Sequence, residues 1–165
     1  MRVYVGFGSN QGDSIDLLRR ALTDLSRLPH SAVTAVSSLY RSKPMGPVAQ
    51  PDFVNAVVAL ETTLAPLELL RALQDIEAAH GRVRTDLRWG PRTLDLDILV
   101  YDDVVMQSDE LVVPHPGIAD RSFVLIPLLE IAPDLAIPGI GAVRALAARC
   151  ARADLEVLPT SLTPL

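Results

Sequence analysis

The 165-residue sequence contains one cysteine, Cys150, so neither an internal disulfide nor a thiolate metal site can be built. No stretch approaches the roughly 18 apolar residues of a membrane span. The apolar run from Val3 to Phe7 is also too brief for a secretory signal. A cytoplasmic protein without membrane contact is the expectation. Basic surplus is missing too: the formal charge of −5 excludes a general nucleic-acid binder, which needs a broadly basic face. No Gly-Lys-Ser/Thr phosphate loop occurs, and Gly6-x-Gly8 is followed by Gly12, one place too late for a dinucleotide fingerprint. That segment, 6–12, reads mainly as a strand-to-helix turn. With only three phenylalanines, one tryptophan and three tyrosines, most aromatics are expected in the core. Lysine appears once against fourteen arginines, which reflects coding bias more than function.

Hydrophobic residues make up 49% of the chain, which excludes a disordered polymer and fits one domain over 1–165. Val3 to Gly8 reads as a buried strand. Asp13 stands at a helix N-cap position, and Ile15, Leu18, Leu22 and Leu25 follow at helical spacing, predicting a helix over 14–27. Strands are expected at 33–41, 53–62 and 93–101. Pro66 opens a second helix that Gly81 closes, with Leu69, Leu73 and Ile76 buried and Gln74 and Glu77 elsewhere on its surface. A short hairpin is expected around 104–106 and 111–113, helices at 122–131 and 142–150, and a loose tail over 158–165. The order β-α-β-β-α-β is a split βαβ, an α+β fold with both helices on one face of a mainly antiparallel sheet.

The most informative segment is Thr93-Leu94-Asp95-Leu96-Asp97-Ile98. Side chains alternate along a strand, so Asp95 and Asp97 share a face while Leu94, Leu96 and Ile98 face the core. A divalent cation relieves the repulsion of two such carboxylates, and hard oxygens suit magnesium. An isolated Asp-x-Asp is more often a solvated strand face. Just upstream, however, Arg82, Arg84, Arg88 and Arg92 put four arginines in eleven residues of an acidic chain. Guanidinium forks match phosphate oxygens while a metal bridges neighbouring ones, so the combination tips towards a nucleoside triphosphate site over self-neutralising surface charge. Asn55 lies in an otherwise apolar strand. It is either a structural amide or a donor–acceptor pair for a heterocycle edge, with Phe53 on its strand face and Phe123 a possible second wall. His115, between Pro114 and Pro116, is either turn chemistry or a phosphate contact.

Gly8-Ser9-Asn10, Tyr40-Arg41, Gly46-Pro47, Gln50-Pro51-Asp52-Phe53-x-Asn55 and Arg88-Trp89-Gly90-Pro91-Arg92-Thr93-Leu94-Asp95-Leu96-Asp97 together resemble the 6-hydroxymethyl-7,8-dihydropterin pyrophosphokinases. Pro114-His115-Pro116, Arg121-x-Phe123-Val124-Leu125-x-Pro127-Leu128 and Glu130-Ile131-Ala132-Pro133 continue the series in order, over roughly residues 3–138. The resemblance implies a ferredoxin-like α+β domain that transfers pyrophosphate from ATP to the pterin in folate biosynthesis. It implies Asp95 and Asp97 as ligands of two magnesium ions, with Arg82 and Arg92 on the triphosphate. Gln74, Glu77, Arg84, Arg88, Ile98, His115 and Arg121 would line the nucleotide side. Phe53 and Phe123 would sandwich the pterin, Asn55 would bond its edge, Trp89 would cover it, and Ser42 and Met45 would add contacts. A monomer with small-molecule substrates only is expected, with no room in the chain for a fused synthase or aldolase domain. Two other readings stay open: a ligand-sensing module without turnover, and a metal-dependent phosphodiesterase or cyclase.

Overall fold

The computed structural model describes residues 1–10, 13–42, 52–80, 94–150 and 155–162. Along the chain it runs β1 (Arg2–Ser9), α1 (Ser14–Ser26), β2 (Ser31–Val36), β3 (Tyr40–Ser42), β4 (Phe53–Thr62), α2 (Pro66–Ala79) and β5 (Asp95–Tyr101). Then come β6 (Met106–Gln107), β7 (Val112–Val113), α3 (Ser122–Ile131), β8 (Ala136–Ile137), β9 (Gly141–Ala142), α4 (Val143–Ala148) and β10 (Leu155–Val157). The main sheet has the order β10-β3-β4-β1-β5, antiparallel throughout, with β2 also pairing β4.

Local chemistry explains the elements. The Asp13 side chain caps α1 by accepting from the Asp16 N–H at 3.1 Å, and Leu18, Ala21, Leu22 and Leu25 form its buried stripe. Pro66 suits the first turn of α2, where no partner for its missing N–H is needed, and Glu68 reaches back to the Ala65 N–H at 2.9 Å. α2 ends at Ala79 with His80 as its C-cap; Gly81, expected to close it, lies outside the described residues.

Three sequence expectations need correction. The strand read at 33–41 is two strands, because the edge breaks at Ser37, whose N–H bonds the Val57 carbonyl while its Oγ accepts from the Val57 N–H, both at 2.9 Å. Gly6 and Gly8 lie inside β1 and not in a turn. Both helices of the split βαβ unit lie on one face as expected, and two further helices pack on the other. α1 and α2 cover one side of the sheet, where Val3, Val5, Phe7, Val58, Leu60, Leu96 and Ile98 meet Leu18, Leu22, Leu69 and Leu73. α3 and α4 cover part of the other, against Tyr4, Tyr40, Val57, Ala59 and Val100. Finally, the stretch read as a loose tail is anchored through Leu162. The Leu158 N–H bonds the Leu39 carbonyl at 2.9 Å, and Leu158 and Leu162 are buried in the α1–α2 core.

Candidate functional site

Register places the candidate residues. Gly8 of β1 is the cross-strand partner of Asn55 on β4 and of Asp95 on β5, and Gly6 is the partner of Val57 and Asp97. Paired residues point to the same side of a sheet, so Asn55, Gly8 and Asp95 form one row and Val57, Gly6 and Asp97 the next. Phe53, two residues before Asn55, shares that side. This is the face that α3 and α4 cover at its other end. Val57 is buried beneath them, whereas Asn55, Phe53 and Asp95 are half-buried and Asp97 is exposed. The acid pair and the amide thus stand on the open part of one face, two strand spacings or about 10 Å apart in backbone.

A β-bulge completes the acid end. Val5 pairs Ile98 but Tyr4 pairs Val100, so Leu99 is the extra residue. Its carbonyl accepts the His115 N–H at 2.9 Å, which ties the Pro114–Pro116 turn to the strand that carries the aspartates. The His115 Nδ1 accepts from the Gly117 N–H at 3.1 Å. Burial holds the His115 imidazole below its ordinary pKa, the nearby Arg121 guanidinium lowers it further, and Asp97 opposes both. Arg121 lies 5.8 Å from the centre of the Phe123 ring, in cation–π range. A Cβ on Gly117 would come within 2.7 Å of the Arg121 Nε, so the glycine leaves room for that guanidinium. His115, Asp97, Arg121 and Phe123 are therefore brought together from three elements.

Glu77 sits elsewhere than expected, and Ile98 keeps the core-facing side that strand alternation gives it. Glu77 is not on the surface of α2: it is 8% exposed, and its Oε2 accepts the Leu96 N–H at 2.9 Å, between the two aspartates. A buried carboxylate needs such partners, and this one braces β5 from behind. Ile98 is 3% exposed in the α1–α2 core, so its side chain faces away from Asp95 and Asp97. Gln74 is exposed on α2. Ser42 accepts from the Asn55 Nδ2 at 3.3 Å. Met45, Arg82, Arg84, Arg88, Trp89 and Arg92 lie outside the described residues. Sequence reasoning missed the part Gly8 plays in this geometry; a glycine inside a strand is itself the signal, since it often marks a close approach.

Among the described residues no group of three or more His, Cys, Asp or Glu is gathered for a metal. Asp95 and Asp97 offer two carboxylates on one strand face, the sparse hard-oxygen set that magnesium takes together with phosphate and water. The donor chemistry fits that ion. No described helix is long and apolar enough to cross a membrane.

Comparison with known proteins bears on the family and the fold. Residues 4–133 match the family model for 7,8-dihydro-6-hydroxymethylpterin-pyrophosphokinase (HPPK). The chain is 51% identical over 158 residues to a 2-amino-4-hydroxy-6-hydroxymethyldihydropteridine pyrophosphokinase of Pseudomonas aeruginosa, covering 96% of this chain and 97% of that one. A protein of the same name from Haemophilus influenzae is 49% identical over 82% of this chain and 84% of its own. In fold, a Plasmodium falciparum HPPK-DHPS crystal structure superposes with a TM-score of 0.72 at 13% identity, covering 90% of this chain and 43% of the other. With a matching family model over most of its length and half its residues shared with one such relative, the chain belongs to the 7,8-dihydro-6-hydroxymethylpterin-pyrophosphokinase family.

Proposed function

We propose that the protein transfers pyrophosphate from ATP to 6-hydroxymethyl-7,8-dihydropterin, giving the pterin diphosphate and AMP, in folate biosynthesis. One observation carries the reading: an amide with an aromatic neighbour and a pair of carboxylates share the open part of one sheet face, separated by a glycine-bearing strand. The amide end suits a flat heterocycle with a hydrogen-bonding edge, and the acid end suits a metal-bound polyphosphate.

In this scheme Phe53 and Phe123 stack on the pterin, and Asn55, with Ser42, bonds its edge. Asp95 and Asp97 would hold two magnesium ions, which would supply charge neutralisation at the phosphates. In the same scheme His115 and Arg121 contact phosphate oxygens, and Arg82 and Arg92 add positive charge as AMP leaves. The hydroxymethyl oxygen attacks the β-phosphorus. The bond from that phosphorus to the α,β-bridging oxygen breaks, AMP leaves with the bridging oxygen, and the hydroxyl proton is lost. Positioning dominates such a transfer, so the residues that fix the two ends of the face matter more than any dedicated base. The protein is expected to act as a cytoplasmic monomer.

The test is a product assay with magnesium, ATP and the hydroxymethyl pterin. AMP and pterin diphosphate should form in equal amounts, and only when both substrates are present. ADP in place of AMP would overturn attack at the β-phosphorus; binding of both substrates without product would overturn the enzymatic reading.

A further inference from the structure

We infer that Gly8 is a positioning residue: its missing side chain is the space into which the Asn55 carboxamide leans, and that lean sets how far the heterocycle edge lies from the acid pair. The inference rests on the proposed function and extends it to a residue outside the substrate-contact set.

Gly8 needs no special backbone conformation. Its φ lies outside the left-handed range, whereas Gly139 and Gly141 have φ of +72° and +143°. Space is what sets it apart. A Cβ built on Gly8 would lie 2.1 Å from the Asn55 Oδ1, a distance no real methyl tolerates, and in tight contact with the Asn55 Cγ at 3.1 Å and the Val54 carbonyl oxygen at 3.2 Å. The first two are atoms of a cross-strand partner, so the Asn55 amide has left the line of β4 and lies over β1, towards Asp95. Its other end is held on the opposite side, where Nδ2 donates to Ser42 Oγ on β3 at 3.3 Å. The carboxamide therefore spans from β3 to β1, held at Nδ2 by Ser42 while Oδ1 occupies the space over Gly8. Gly6 is not equivalent: the nearest atoms to a Cβ there belong to Leu99 at 3.4 Å, ordinary packing contact. Of the two strand glycines, only Gly8 meets a residue of the proposed site.

An added methyl would drive the amide back over β4 and off Ser42. A ligand whose edge is read by Asn55 would then bind weakly or out of line with the β-phosphorus, while Asp95 and Asp97 would still take the metal–nucleotide complex.

The experiment is a double-mutant cycle on Gly8→Ala and Asn55→Ala, read by calorimetric binding of the hydroxymethyl pterin, binding of magnesium with a non-hydrolysable ATP analogue, and thermal unfolding. Gly8→Ala should weaken pterin binding at least about tenfold, the loss of one good hydrogen bond to the ligand. Nucleotide binding should stay within about twofold of wild type, well inside the tenfold that one such bond represents. In the Asn55→Ala background the same glycine substitution should cost pterin binding little more, because the severe overlap with the amide is gone and only the Val54 carbonyl oxygen, 3.2 Å from the added Cβ, remains close. If Gly8→Ala does not fold, recovery of folding in the double variant supports the inference and failure of both overturns it. Equal loss of pterin and nucleotide binding, or independent effects of the two substitutions, would mean that Gly8 is merely structural. Unchanged pterin binding in Gly8→Ala would sink this inference alone. Absence of pterin binding by the wild-type protein would sink the proposed function with it.

Discussion

At the scale of single residues, the site is a contrast between two ends of one sheet face. Asp97 is the exposed member of the acid pair. Asp97→Ala should abolish magnesium-dependent nucleotide binding while leaving the unfolding temperature near wild type. Isothermal titration with and without the metal checks this, and undiminished binding in the variant would reject Asp97 as a ligand. His115 carries a pH dependence whose sign follows from its surroundings. Its folded pKa is lowered from 6.5, chiefly by burial, so the unfolded chain takes up the proton more readily. The stability it contributes is full above the unfolded value and is lost as pH falls through the lower folded one. In the ligand-free protein its NMR titration should therefore show a midpoint below that of a free histidine side chain; a midpoint above it would contradict the geometry. The identity of such residues was legible in the sequence because hard chemistry leaves short words, Asp-x-Asp and Pro-His-Pro. Glu77 was not: α-helical spacing places it beside Ile76, and nothing local says that a carboxylate there turns inward to a strand from a different part of the chain.

At the scale of elements, β5 serves the site only while it is held straight at Leu96. The strand is at the edge of the sheet, beside β1, and its Leu96 N–H finds its acceptor in α2. Glu77→Ala would leave that buried donor without its carboxylate, at a cost of about 1–3 kcal/mol. Glu77→Gln keeps an acceptor oxygen and should recover most of it. Denaturant midpoints for the pair test the account; equal loss in both would show that the charge, and not the bond to Leu96, is what matters. On the far edge the break between β2 and β3 is secured by α3. The Glu130 carboxylate accepts from the Ser38 N–H at 3.0 Å, the Ser38 Oγ at 2.9 Å and the Tyr40 hydroxyl at 2.7 Å. Boundaries of α1, β4 and α3 could be read closely from capping, proline and apolar spacing. The break at Ser37 could not, since hydroxyl-rich residues suit an unbroken strand equally well and the groups that secure it, Val57 for Ser37 and Glu130 for Ser38, lie far along the chain.

At the scale of the whole molecule, three layers share one sheet, and the C-terminal segment belongs to the larger core. Leu158 is 7% exposed and hydrogen-bonded through its backbone to Leu39. Leu158→Ala should cost about 2–5 kcal/mol, as large-to-small changes in a core do. A urea midpoint unchanged from wild type would return this stretch to the status of a loose end. Composition pointed that way, because prolines, threonines and serines dominate 159–164 and mask two leucines spaced four apart. The split βαβ order was legible because each element announces itself locally. The division of helices between two faces was not, because α3 is apolar nearly all round and its pattern favours neither face.

The partial cover of the second face has a thermodynamic consequence. Where α3 and α4 stop, Phe53, Asn55 and Phe123 are left half-buried, so a flat ligand seated there takes the place of a missing layer. Its binding should then behave as a small instalment of folding, with a negative heat-capacity change that scales with the apolar area removed from water. Calorimetry of the pterin at several temperatures should give an enthalpy that becomes steadily more favourable on warming. A temperature-independent enthalpy would mean that the ligand rests on the open face without being covered by it.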